Sequence, residues 1–319
     1  MHAAFRQDYG GPEVLRVLEL PVPELKAGQV LIKVMATTVN RTDCAVLTGK
    51  PAIMRLFTGL RRPSNPVTGT DFAGIIERSD APGFSAGQKV FGFLDTGIPT
   101  HAEFVALDTS NVLQMPDVPF EVAAAACEAG HYAYNFTKAA KPRSGQTALV
   151  NGAGGGIGSA MLQFLKHAGL TVTAVCRGDQ VEKIQGLGAD SVINYESEDF
   201  TKDSRTYDFV FDAVGKSRFC LCRKIMKAKA MYLSSEPGPY GENLWLPLLT
   251  RFSAQRVLFP FPADIPGSLA FLKGLLNERK FKPLIDRTYT LDQVAEAFRY
   301  TASGQKTGNV VIALNRSFT

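Results

Sequence analysis

The chain has 319 residues, 45% hydrophobic and 20% charged, a composition that excludes wholesale disorder and suffices for two cored domains. Its 35 Lys and Arg against 30 Asp and Glu leave a net charge of +5. The basic residues are scattered, and the densest group, Arg61 and Arg62 with Lys50 and Arg55 nearby, reads as a solvated surface, so no nucleic-acid partner is expected.

A strand pattern starts almost at Met1, so no targeting peptide is expected. Short apolar runs at 30–34, 74–77, 90–93 and 103–107, separated by Gly, Pro and Asp, suggest a partly open barrel or sandwich. Between them, residues 48–66 are rich in Pro and Arg without a clear period and read as a long loop. From about Phe120 the character changes. Residues 121–140 are Ala-rich and helical, and Pro142-Arg143-Ser144-Gly145 stops them. Strands at 147–151, 171–176, 191–194, 209–214, 230–234 and 256–259 then follow one another, with helices at 157–168 and 180–187 among them. This order predicts an α/β chain with a doubly wound parallel sheet. The tail offers a helix at 268–278, a strand at 284–290, a helix at 291–302 and a strand at 309–314, elements expected to return to the first domain. The domains are therefore read as 1–119, 120–262 and a return segment, 263–319. The apolar stretch 244–261 is interrupted by Pro247, Arg251, Arg256 and Pro260, so it cannot supply the ~20 apolar residues of a membrane span. Five cysteines at irregular spacing with no C-x-x-C argue against a disulfide framework and for a reducing compartment, so a cytoplasmic protein is expected.

The chemistry-bearing motif follows the strand at 147–151. Asn151-Gly152-Ala153-Gly154-Gly155-Gly156-Ile157-Gly158 reads as A-x-G-x-x-G, with Ala153, Gly155 and Gly158 in the small-residue slots. Small residues permit a sharp turn and close approach of backbone to a pyrophosphate, and the helix start adds N–H donors and positive dipole. Strand before, helix after and second strand beyond supply the context such a pattern needs. Ala153, Gly154, Gly155, Gly156 and Ile157 are the expected dinucleotide contacts. At the end of the second strand, where an NAD site has an acid for the ribose hydroxyls, stands Arg177. It is placed to meet a 2′-phosphate, with Tyr195 as a second contact. Asp179 argues for NADH or simply starts the next helix. The balance favours NADPH. Because ligands lie beyond the carboxyl ends of the strands, Ala213, Val214 and Gly215 should border the adenosine side, and Ser234 and Ser235 the nicotinamide side.

Several segments carry a wider likeness: Thr38-Val39-Asn40-Arg41-Thr42-Asp43, Gly69-Thr70-Asp71-Phe72-Ala73-Gly74, Gly87-Gln88-Lys89-Val90-Phe91-Gly92, the glycine loop, Leu187-Gly188-Ala189-Asp190 and Phe211-Asp212-Ala213-Val214-Gly215. In their order and spacing the chain resembles the zinc-independent quinone oxidoreductase group of the medium-chain dehydrogenase/reductase superfamily. The resemblance implies a GroES-like, partly open β-barrel catalytic domain beside a Rossmann domain, and a homodimer. Zinc-dependent relatives have a Cys where this chain has Asn40 and His-Glu where it has Thr70-Asp71. Asn and Thr do not make a zinc site, so no metal is expected.

The implied reaction is hydride transfer from NADPH to a quinone or an α,β-unsaturated carbonyl. Asn40 is the first candidate for donating to the carbonyl oxygen, with a structural amide as the equal alternative. Tyr132 and Tyr240 are candidate proton donors, although water can serve and tyrosines more often pack. His131 stands where similar proteins carry an apolar residue, and Gln180 where they often carry a Lys for the 2′-phosphate; Arg177 would have to substitute. Two other readings stay open: a trans-acting enoyl reductase on a carrier-bound acyl group, with residues 48–66 meeting an anionic carrier, and a non-catalytic NADPH-binding sensor or RNA-binding protein.

Overall fold

The computed structural model describes residues 1–314. The chain divides into two compact units. The first holds Met1–Glu128, Ile265–Asn277 and, of the described residues, 285–314; the second holds Ala129–Asp264 and Glu278–Leu284.

The first unit opens with an antiparallel ribbon, β1 (His2–Phe5) and β2 (Arg16–Glu19). β3 (Gln29–Val39) is the long strand of this unit, and its β-branched residues suit an extended, half-buried surface. It is followed by α1 (Arg41–Thr48), α2 (Met54–Thr58), β4 (Asp71–Ser79), β5 (Lys89–Phe93), β6 (Phe104–Asp108) and β7 (Val112–Gln114). The stretch read as loop at 48–66 thus contains a one-turn helix, too short to leave a period in the sequence. β3 pairs with β4 along one edge, while its other edge serves two strands. Gln29–Lys33 pair with β6, and Ala36–Val39 pair with the last strand of the chain. A strand that changes partner halfway bends the sheet toward a barrel without closing it. Val30, Ile32 and Val34 alternate into a core with Phe72, Ile76, Val90 and Val105.

α3 (Phe120–Ala140) runs for 21 residues, and the unit boundary falls inside it, between Glu128 and Ala129, rather than before it. Its early turns belong with the first unit because the Thr42 hydroxyl bonds the Glu128 carboxylate. The second unit then builds β8 (Thr147–Asn151), α4 (Gly156–His167), β9 (Thr171–Cys176), α5 (Val181–Gly186), β10 (Ser191–Asn194), β11 (Tyr207–Asp212), α6 (Phe219–Cys222), β12 (Met226–Ser234), α7 (Glu242–Leu249) and β13 (Arg256–Leu258). All six strands are parallel, in the order β10-β9-β8-β11-β12-β13. The order reverses between β8 and β11, which makes the carboxyl ends of those two strands the switch point where such sheets bind ligands.

The remaining elements are α8 (Ile265–Asn277), β14 (Ile285–Thr290), α9 (Val294–Ala302) and β15 (Asn309–Ala313). β15 completes the pairing with β3, and residues 278–284 go with the second unit, where the Gln163 side chain bonds the backbone of Lys282 at both ends, 2.9 and 3.0 Å. Among the described residues no helix is long and apolar enough to cross a membrane.

Candidate functional site

In the second unit the glycine loop sits at the carboxyl end of β8 and runs into α4. Gly152 has φ +81°, a left-handed backbone that a side chain would strain, and a Cβ there would lie 2.4 Å from Val214. A Cβ on Gly158 would lie 2.2 Å from the Gly152 carbonyl oxygen and 2.9 Å from the Ala153 Cα, so the first turn of α4 folds directly over the loop. Gly155, by contrast, has only the Gly152 oxygen at 3.4 Å, and the approach to it is open. Gly155 is also the N-cap of α4 and offers no side-chain cap, which leaves the helix start to an anionic ligand.

One turn further round, Arg177 follows β9. Its guanidinium pairs with Asp179 through two bonds, Nε to Oδ1 at 2.6 Å and the Nη2 nitrogen to Oδ2 at 2.8 Å. The partnership raises the Arg177 pKa and lowers that of Asp179. Tyr195 lies within electrostatic reach of Arg177 and is half exposed. Gln180 is buried; its Oε1 accepts from the Arg177 N–H, and its side chain lies where a Cβ on Gly154 would go. Arg177 and Tyr195 thus come together, with Asp179 already holding the cation a 2′-phosphate would use.

At the switch point, Asp212 ends β11 beside Asn151 at the end of β8. Its carboxylate is buried and accepts from Asn151 Nδ2 (3.0 Å), the N–H groups of Val214, Gly215 and Ser217 (3.2, 3.1 and 2.9 Å) and the Tyr232 hydroxyl (3.2 Å). One side chain therefore shapes the 213–217 turn and ties it to the strand that carries the glycine loop. Replacing Asp212 by Ala leaves those donors without an acceptor, and since each buried unpaired group costs about 1–3 kcal/mol, we expect a loss of about 3–5 kcal/mol. Urea unfolding measures it, and a loss below about 1 kcal/mol would contradict this role.

Ile157, Ala213 and Ser235 line one small hollow with Phe136, Met161, Phe211, Asp212 and Leu233. Of the two serines, Ser234 is occupied in its own turn, bonding the carbonyl and N–H of Glu236. The Ser235 hydroxyl is buried and has no partner. A Cβ-free cradle, an uncapped helix start and an orphaned hydroxyl beside a hollow together fit a dinucleotide.

Tyr132 and Tyr240 also belong to this unit. Tyr132 is a half-buried residue of α3 whose ring meets that of His131 edge-on at 5.6 Å. Tyr240 is 97% exposed and held at φ +56°. His131 is fully buried and structural in its bonding: Nε2 donates to the Pro262 carbonyl at 2.9 Å.

In the first unit, Asn40 is the N-cap of α1 and is buried. Its Nδ2 donates to Thr38 Oγ1 at 2.5 Å and reaches Asp71 Oδ2 at 3.4 Å, and its backbone N–H donates to Asp43 at 2.8 Å. Asp71 further accepts from the Thr38 N–H and hydroxyl, and from Thr37. These bonds fix the Asn40 amide in the manner of a structural amide. Around it lies a group of carboxyls that the sequence reading did not single out. Burial pushes Asp71 and Glu128 up to about 7 and Asp43 well above its usual range; Lys306 opposes the rise at Glu128. Thr70, which bonds Asp43, and Thr42, which bonds Glu128, lie 27 and 86 residues away in sequence, which no local pattern reveals.

A zinc ion does not fit these donors. Asn40 contributes an amide bonded to Thr38, Thr70 a hydroxyl bonded to Asp43, and both Asp71 oxygens are taken by hydrogen-bond donors. Among the described residues no group of three or more His, Cys, Asp or Glu is arranged to hold a metal.

Comparison with known proteins agrees with this architecture. Residues 26–117 match the family described as alcohol dehydrogenase GroES-like domain, and residues 187–312 the one described as zinc-binding dehydrogenase. Over 323 residues the chain is 30% identical to the 2-methylene-furan-3-one reductase of Solanum lycopersicum, covering 96% of this chain and 77% of that protein. It is 28% identical over 341 residues to a chloroplastic NADPH-dependent alkenal/one oxidoreductase of Arabidopsis thaliana, covering 98% and 79%. The quinone oxidoreductase from Coxiella burnetii has the same fold, with a TM-score of 0.88 at 26% identity over 99% of each chain. The chain belongs to the medium-chain dehydrogenase/reductase family, in its quinone oxidoreductase group, and is by that membership an oxidoreductase.

Proposed function

We propose that the protein transfers a hydride from NADPH to an α,β-unsaturated carbonyl or a quinone, without zinc. The observation that carries this reading is the glycine loop at the switch point, closed over by α4 and flanked by Arg177. The names of the relatives support it, one an NADPH-dependent alkenal/one oxidoreductase and another a quinone oxidoreductase.

When bound, the coenzyme supplies a hydride from nicotinamide C4. The start of α4 would receive the pyrophosphate, Arg177 with Tyr195 would meet the 2′-phosphate, and Ser235 would offer its unpartnered hydroxyl. Asn40 is the candidate donor to the carbonyl oxygen as charge develops there, in exchange for its longer, 3.4 Å bond to Asp71. For an enone, hydride adds to the β carbon and the resulting enolate takes a proton from solvent, or from Tyr132 or Tyr240. The first of these routes asks least of the protein. A homodimer belongs to the same proposal: β13 is an edge strand, and α7 beside it exposes Leu244, Trp245, Leu248 and Leu249. A monomeric mass by light scattering would count against it.

The reaction is tested by reducing a short enone with NADPH deuterated at either face of nicotinamide C4. One label should appear at the β carbon of the product by mass spectrometry. Product free of deuterium from both labels would refute direct hydride transfer.

A further inference from the structure

Residues 44–70 contain no acidic residue, while Lys50, Arg55, Arg61 and Arg62 place four positive charges in a span of thirteen. The same span carries four large apolar side chains in the open: Ile53 is 60% exposed, Leu56 67%, Phe57 64% and Leu60 69%. Proteins rarely leave four large apolar side chains uncovered within eight residues without a use for them. The segment is held from beneath, so these tips are not an undocked strand end. The Tyr9 hydroxyl donates to the Gly59 carbonyl at 2.6 Å, the Tyr9 ring stacks under the Arg55 guanidinium at 4.8 Å, and Thr58 is buried.

The chemistry of the face distinguishes its partner. Backbone groups around α2 are bonded within the segment: Arg55 N–H to Ala52, Leu56 N–H to Ile53, Gly59 N–H to Arg55 and Ser64 N–H to Thr58. What remains outward is hydrocarbon and cationic donors, with no carboxylate of the segment to pair with them. Asp8, paired with Arg62 at 3.2 Å, is the acidic residue that meets the patch. A fluid anionic surface needs neither shape complementarity nor directional bonds, and it rewards apolar tips and cations together.

We propose that residues 50–62 dock the protein on an anionic lipid bilayer, with Ile53, Leu56, Phe57 and Leu60 entering the headgroup–acyl boundary and Lys50 and Arg61 meeting lipid phosphates. This lies beyond the hydride-transfer reading and does not depend on it.

The test is sedimentation of the full chain with phosphatidylcholine vesicles, with and without phosphatidylserine. Association should require phosphatidylserine and weaken with salt. Arg61→Ser should lower the partition coefficient about fivefold, the share of one basic residue near such a surface, or about 1 kcal/mol. The double variant Leu56→Ser, Phe57→Ser should lower it at least tenfold while the urea midpoint stays in place, because both side chains already face water. No association, equal association with phosphatidylcholine alone, or a double variant that binds as the parent does would each overturn the proposal. Two further outcomes would reassign the face. If the double variant dissociates an oligomer in vesicle-free buffer, the face is a contact with a second copy. If it raises KM for a soluble or carrier-bound enone there, the face is a substrate rim.

Discussion

Replacing Gly158 by Ala is expected to lower the affinity for NADPH and NADH alike, by about a hundredfold, or ~2.7 kcal/mol. The reason is geometric. The added methyl would sit 2.2 Å from the Gly152 carbonyl oxygen, 2.7 Å from its carbon and 2.9 Å from the Ala153 Cα. All three neighbours are backbone, so no side chain can rotate away, and the loop must part from α4 by about an ångström to restore ordinary contact. That displacement moves the donors that surround a pyrophosphate, and charge-assisted bonds lose strength quickly as they lengthen. A folding penalty of about 1–3 kcal/mol should accompany it, as for other overpacked sites. Titration of coenzyme fluorescence measures the affinities. Unchanged Kd values for both coenzymes would mean that the loop is not the pyrophosphate cradle.

Arg177→Ala should separate the two coenzymes. Loss of a charge-assisted contact to the 2′-phosphate is worth roughly 1.5–3 kcal/mol, so NADPH affinity should fall about ten- to a hundredfold while NADH affinity changes little. The structure adds a second variant. Asp179 holds the guanidinium by two bonds and must share it with, or yield it to, the phosphate. Asp179→Asn removes the competing charge and should tighten NADPH binding. Equal losses for NADPH and NADH in Arg177→Ala would place the residue in loop architecture rather than at the 2′-phosphate.

The parts of the fold legible in the sequence are those specified locally. The strands at 147–151 and 171–176 were bounded by turn residues on both sides, and they occupy those spans in the structure. The glycine loop was legible because its requirement is steric and lies within eight consecutive residues. α2 was not, since one helical turn leaves no period, and α7 was hidden by Pro247 inside it. The first unit's carboxyls were invisible for a different reason. Asp71 is defined by Thr37 and Thr38, more than thirty residues earlier on β3, and Glu128 by Thr42. Asp212 lies in the recognisable segment Phe211-Asp212-Ala213-Val214-Gly215, yet its role arises from five donors brought together by strand order and a turn. Ser234 and Ser235 were indistinguishable as letters; only burial and bonding separate the occupied hydroxyl from the free one. The sequence likewise placed Arg177 correctly at the end of β9 and could not show that Asp179 already grips it.

Hydride transfer is measured most simply as coenzyme oxidation at the nicotinamide absorbance band, with NADPH and NADH each offered a short enone and a quinone separately. Turnover is expected with NADPH and at least one of the two acceptors, and slower turnover with NADH. Saturable NADPH binding with no acceptor-dependent oxidation would contradict it and make the protein a coenzyme-binding protein rather than a reductase of these substrates.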